Sequence, residues 1–133
     1  MKLITRDTDY AIRAICFMAE HKKEIISVSE LVQKLKIPRP FLRKILQALN
    51  KKGVLASFKG KFGGFKLRRK PQDIFITDLI KIFQGPVKLN RCIFKKKLCS
   101  SMDRCILRER IGEIEQRVVS ESGLITAASL SRR

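Results

Sequence analysis

Two prolines, Pro38 and Pro40, stand between two apolar stripes of helical spacing and divide this stretch into separate helices. A residue before proline is pushed out of the α region, so a helix approaching Pro38 must end there. Pro40 instead suits the first turn of a new helix, where its missing N–H has no intrahelical partner to lose. Upstream, Ser27 and Glu30 have capping-box spacing ahead of Leu31, Val32 and Leu35, which predicts a short helix from about Val28 to Lys36. Downstream, Phe41, Leu42, Ile45, Leu46 and Leu49 form the stripe of a further helix that Gly53 stops.

An earlier helix is marked by Tyr10, Ala11, Ala14, Ile15 and Met18 on one face; it starts between Thr5 and Thr8 and fades by His21. Beyond Gly53 the period changes. Val54 to Phe58 and Phe65 to Leu67 are short β-type runs, and the KGKFGG segment between them, Lys59 to Gly64, has the glycines of a tight hairpin. Thr77 reads as the N-cap of a helix over Asp78 to Phe83, which Gly85 and Pro86 end. Helical period returns from Cys105, with Leu107, Ile111, Ile114 and Val118 spaced four, three and four apart like a coiled-coil seam. Taken alone, that seam fits intramolecular packing or a partner helix. Ser122 to Arg133 read as a frayed end or a short helix.

The expected fold is therefore mainly α with a small β-hairpin wing: a winged helix-turn-helix followed by a long C-terminal helix. The expected organisation is 1–84 for the winged helix-turn-helix, 85–104 for a cysteine-bearing loop, 105–121 for the long helix and 122–133 for a tail. A chain of 133 residues accommodates these as one structural domain.

Charge narrows the function. Lys and Arg number 30 against 12 Asp and Glu, a net +18. From Leu31 to Gln72 there are 13 Lys or Arg and no acid, while acids gather towards the ends. A solvated surface ordinarily mixes signs, so a polyanionic partner is the first expectation, with nucleic acid ahead of an anionic membrane surface, another acidic partner or no electrostatic partner. Apolar residues recur regularly through the basic stretch, which marks a folded face and not a disordered tail. Anchoring the Phe41–Leu49 stripe on a core aims Arg39, Arg43, Lys44 and Gln47 outward, where a major groove ~12 Å wide admits a helix. Lys59 and Lys61 at the hairpin tip are placed for phosphates or the adjacent minor groove.

No apolar run approaches the ~18 residues of a membrane span, and MKLITRDTDY lacks the apolar middle of a secretory signal, so a cytoplasmic setting without membrane contact is expected. In a reducing compartment the four cysteines favour ligation or free thiols over disulfides. Cys92, Cys99 and Cys105 are separated by six and five residues, without the close Cys-x-x-Cys pairs of zinc modules. Arg91, Lys95, Lys96, Lys97 and Arg104 surround them, and cations offset the charge of thiolates or of a thiolate-held cluster. An iron–sulfur cluster, zinc and reactive or idle thiols all remain open from these residues alone. Cys16 reads as a core thiol and His21 as a surface residue. A lone His without an evident partner, and the absence of a phosphate loop or paired-carboxylate motif, give no enzyme signature.

Thr8-Asp9-Tyr10-Ala11 followed by Arg13, the run SFKGKFGGFKL from Ser57 to Leu67, Ile76-Thr77-Asp78-Leu79-Ile80 and the three late cysteines resemble the iron–sulfur winged-helix transcriptional regulators that include IscR and NsrR. The resemblance spans nearly the whole chain. It implies a DNA-binding regulator, a repressor, that forms a homodimer through the C-terminal helix bearing Leu107, Ile111, Ile114 and Val118. It also implies an iron–sulfur cluster held by Cys92, Cys99 and Cys105, with DNA affinity set by redox, nitric oxide or cluster status. Some relatives ligate through a histidine three residues beyond the last cysteine; here that residue is Arg108, which cannot ligate. Others use a carboxylate in the partner's first helix, a place Asp9 matches. Read by itself, Asp9 is a first-turn acid favoured by the helix dipole. The first cysteine spacing is one residue longer than the family's common five, which leaves 2Fe–2S and 4Fe–4S both open. Lys59 occupies the place of the family's wing arginine, a weaker match to a narrow minor groove. The alternatives are a thiol-switch or zinc-stabilised DNA-binding protein of the same fold, and a basic module that binds nucleic acid without sequence preference.

Overall fold

The computed structural model describes residues 2–21, 25–89 and 105–131. Helix α1 spans Arg6–Glu20, with the Thr5 hydroxyl accepting from Thr8 N–H at its start and Asp7 and Asp9 in its first turn, the sign the helix dipole favours. Thr8, Ala11, Ala14, Ile15 and Met18 form its buried face. The Ser27 hydroxyl accepts from Glu30 N–H at 3.1 Å and opens α2, Val28–Leu35, as the capping-box spacing predicts. Lys36 then takes a left-handed conformation (φ 57°), and α3, Arg39–Lys51, begins with Pro40 in its first turn. Gly53 follows the end of α3 at φ 79°.

Leu42, Ile45, Leu46 and Leu49 of α3 are all 1% exposed or less and lock this helix onto α1, α2 and the hairpin. Burying each such side chain contributes ~1.5–3 kcal/mol. Phe41 departs from the predicted stripe: it is 40% exposed and lies beneath the Arg6 guanidinium, 4.7 Å from the ring centroid. It sits at the stripe's edge, where a helical period alone does not separate core from surface.

Strands β1, Leu55–Phe58, and β2, Gly64–Leu67, pair antiparallel with Leu55 opposite Leu67 and Phe58 opposite Gly64. The hairpin is fastened to the body by an isolated bridge in which Ile26 and Phe65 exchange two N–H···O bonds of 2.9 Å. A single 3-10 turn, Pro71–Asp73, leads to α4, Ile76–Gln84. Thr77 is not the cap of α4. The helix begins two residues earlier than expected, at Ile76 with Phe75 as its cap residue, and the Asp78 carboxylate accepts from Phe75 N–H at 3.3 Å. That start is set from far along the chain: Ile76 N–H donates to Ile125 O, and Phe75 bridges Thr126.

Helix α5, Ile106–Ser122, carries the expected seam, and the tail resolves into a short helix, α6, Ala127–Ser131. Thr126 and Ser129 cap α6 reciprocally, at 3.0 and 3.1 Å. Ala127 is buried, and α6 packs against α1, so the chain's end returns to the winged helix. The architecture is mostly helical with one two-stranded wing, as expected.

Candidate nucleic-acid interface and cysteine segment

The basic surface is built from α3 outward. The four buried residues of α3 fix which side of the helix faces the core, and Arg39, Arg43, Lys44 and Gln47 are all exposed. Arg39 Nη2 donates to the Ser29 hydroxyl at 3.0 Å, which fastens the start of α3 to α2. Arg43, Lys44 and Gln47 present one bidentate fork, one ammonium and one amide on successive outward positions, the donor and acceptor types that read base edges and phosphates. Helix α3 packs on β1, so the hairpin follows it closely in space as well as in sequence. Lys59 and Lys61 are exposed beside the hairpin turn.

Three residues near this surface receive no role from the sequence. Arg6 reaches it from the start of α1 by covering Phe41. Phe62, between the wing glycines, is 85% exposed. Lys66 Nζ lies 5.4 Å from the Phe58 ring. Phe62 and Lys66 lie within the wing run, and their spatial neighbours single them out.

Cys105 is the cap residue of α5, and its sulfur accepts from Arg108 N–H at 3.4 Å. Arg108 thus contributes its backbone at this thiol. Cys92 and Cys99 lie outside the described residues. Among the described residues, no group of three His, Cys, Asp or Glu side chains converges on a common point. Asp9 stands in the first turns of α1, with its carboxylate 3.0 Å from Arg13 Nε in a surface pair. Cys16 is half-buried in a small apolar recess with Ile12, Ile15, Ile74 and Leu79, and burial is the main cause that raises its thiol pKa, with the Glu20 carboxylate adding to it.

On α5 the seam is largely uncovered. Leu107 is 66% and Ile114 48% exposed, with Ile111 and Val118 half-buried. Glu115 is the exception to this isolation: it accepts from Leu89 N–H at 3.5 Å and pairs with Lys88 at 3.6 Å, which ties the segment after α4 to α5.

Two short helices, a proline turn, an exposed basic helix and a seated hairpin define a winged helix-turn-helix protein of the transcription-regulator class. The match to known proteins is more specific. Residues 4–133 fit the Rrf2 family model, described as an iron-dependent transcriptional regulator, and the chain belongs to the Rrf2 family. It is 34% identical over 111 residues to a candidate HTH-type transcriptional regulator of Aquifex aeolicus, covering 82% of this chain and 77% of that protein. It is 29% identical over 133 residues to protein rrf2 of Nitratidesulfovibrio vulgaris, covering 99% and 88%. Among solved structures, CymR, the global cysteine regulator of B. subtilis, superposes with a TM-score of 0.79 at 21% identity, covering 98% of this chain and 97% of that one. IscR of T. potens superposes at 0.76 and 21% identity, covering 98% and 85%. At these identities the two structures are likenesses of fold. Among the described residues no helix is long and apolar enough to cross a membrane.

Proposed function

We propose that the chain is a homodimeric, sequence-specific DNA-binding regulator whose operator affinity is controlled by an iron–sulfur cluster. The observation that carries the DNA-binding part is the two-sided character of α3: four residues sealed in the core and Arg39, Arg43, Lys44 and Gln47 outside, next to a lysine-tipped hairpin. In this reading α3 lies in the major groove. Arg43 and Gln47 contact base edges, Lys44 and Arg39 serve bases or phosphates, and Lys59 and Lys61 meet backbone or the adjacent minor groove. Phosphate contacts alone supply affinity without sequence choice, so the base-edge groups carry specificity.

The uncovered seam of α5 supports a two-fold pairing of Leu107, Ile111, Ile114 and Val118 with a second copy, because coiled-coil spacing that the chain itself leaves exposed suits a matching helix. Cys105 suits a ligand: a free thiol at the start of α5, beside the segment that holds Cys92 and Cys99. Asp9 of the partner subunit is the fourth donor in this proposal; its pair with Arg13 is a surface ion pair worth ~1 kcal/mol at most, which ligation can replace. A bound iron–sulfur cluster supplies a centre that oxidation, nitrosylation or loss alters. The residues of this chain convert that change into geometry: 85–104 joins the end of α4 to the start of α5, so the way its thiols are held sets how α5 sits against the winged helix. The spacing of the two reading helices in the dimer follows.

Selection of bound duplexes from a random pool tests the DNA part. The expected result is one enriched half-site motif, bound at least ~10³-fold better than random duplex. Arg43→Ala should weaken binding to it by ~5–150-fold, the worth of one bidentate base contact. Equal affinity for all duplexes would make the chain a non-specific basic module.

A further inference from the structure

We infer that Phe62 is an aromatic wedge that enters the minor groove beside the sequence read by α3 and opens one base step. The inference rests on the DNA-binding reading above and adds to it a residue and a mode of contact. Phe62 is 85% exposed, more than any other large apolar side chain among the described residues. It sits with Lys61 at the corner of a turn that Gly63 N–H closes onto Gly60 O at 3.0 Å. Turn corners favour Asn, Asp, Gly and Ser, and nothing in the hairpin requires a phenyl ring there.

The backbone that carries the ring is also held in place. A Cβ on Gly63 would stand 2.3 Å from Phe58 O, so this turn is wound tightly against its own strand. A Cβ on Gly64 would stand 2.2 Å from Ile26 O, where the hairpin is seated on the body. A wedge on such a mount requires little ordering of the backbone when it inserts. Cations frame it: Lys61 Nζ is 5.8 Å from the ring centroid, and Lys59 is exposed nearby. An apolar ring rimmed by ammonium groups matches a groove whose floor is stacked bases and whose walls are phosphates. A second copy meeting this tip with its own tip would bring Lys59 and Lys61 against the same lysines, which repel. Unstacking costs least at pyrimidine–purine steps, so Phe62 adds preference for TA or CA/TG at a position that no hydrogen bond reads.

The test uses the full-length protein and the duplex chosen by selection, with 2-aminopurine placed in turn through the flanks of the half-site. The wild type should raise fluorescence at one flanking step, as unstacking does. Phe62→Ala should abolish that rise and weaken binding about tenfold, the loss expected for one base-stacking aromatic. Phe62→Trp should restore both. Selective binding by the wild type with no fluorescent step, and Phe62→Ala within twofold of it, overturns the wedge and leaves the regulator reading intact. A wild type without any preferred duplex overturns both. A drop in sedimenting mass of Phe62→Ala without DNA would assign the ring to a second copy and overturn the wedge.

Discussion

The hydroxyl of Thr8 donates to Oε1 of Gln84 across 2.7 Å, joining the first turn of α1 to the last residue of α4. The same oxygen accepts from Thr5 N–H at 2.9 Å, and Gln84 Nε2 donates to Leu3 O at 3.1 Å. Thr8 is fully buried, so this amide is the partner that lets a polar side chain sit in the core. It also places the end of α4, from which the cysteine segment departs, beside the helix that carries Asp9.

Gln84→Leu keeps the bulk and removes both functions of the amide. The Thr8 hydroxyl and the Thr5 N–H then lose their acceptor, which costs ~1–3 kcal/mol. Urea unfolding should show that loss as a lower midpoint at unchanged slope. An unchanged midpoint would mean that water replaces the amide without cost.

Gly64→Ala should unseat the wing. The new methyl meets the Ile26 backbone at 2.2 Å, and backbone cannot swing aside as a side chain does. Destabilisation of ~1–3 kcal/mol is expected, with weaker operator binding even under conditions where the protein stays folded. Wild-type stability and affinity in this variant would show that the hairpin seat is softer than its geometry.

Glu at both Leu107 and Ile114 separates the seam from the fold. These side chains are 66% and 48% exposed in the single chain, so charge there leaves helix content by circular dichroism unchanged. Paired helices, by contrast, would bury four like charges around their axis, and sedimentation should report a monomer. A variant that stays dimeric would move the pairing surface elsewhere.

Burial of Cys16, reinforced by Glu20, raises its thiol pKa above the ordinary value of 9.0. The folded state therefore holds this proton more tightly than the unfolded chain. That contribution to stability is complete below pH ~9 and is lost as pH rises through the raised value. Iodoacetamide at pH 7.5 should alkylate Cys16 slowly in the native protein and at the ordinary thiol rate in urea. Equal rates in both states would contradict the burial.

Where local chemistry decides structure, the residues could be read directly. The capping box Ser27–Glu30 and the two prolines marked α2 and α3 because caps and φ restrictions act within a few residues. The hairpin glycines did the same for the wing. Thr77 misled because Ile125 and Thr126, some fifty positions away, decide where α4 starts. Phe41 fell inside a period that cannot show Arg6 lying over its ring. The basic face was legible because charge and apolar spacing together fix which side of α3 is outside. The cysteine segment was legible only as composition and spacing, since thiols separated by six and five residues follow no helical or strand period. The Thr8–Gln84 contact joins residues 76 apart, beyond any sequence period.

The central claim is that the cysteine segment governs operator affinity. Its direct measurement is the dissociation constant for the selected duplex, taken on protein purified without oxygen, on the same protein after iron removal, and on Cys99→Ala. The untreated protein should contain iron and acid-labile sulfide, absorb visible light, and differ from the other two preparations by ~5–150-fold in affinity. Iron-free protein from oxygen-free purification, or three dissociation constants within twofold of one another, would contradict it.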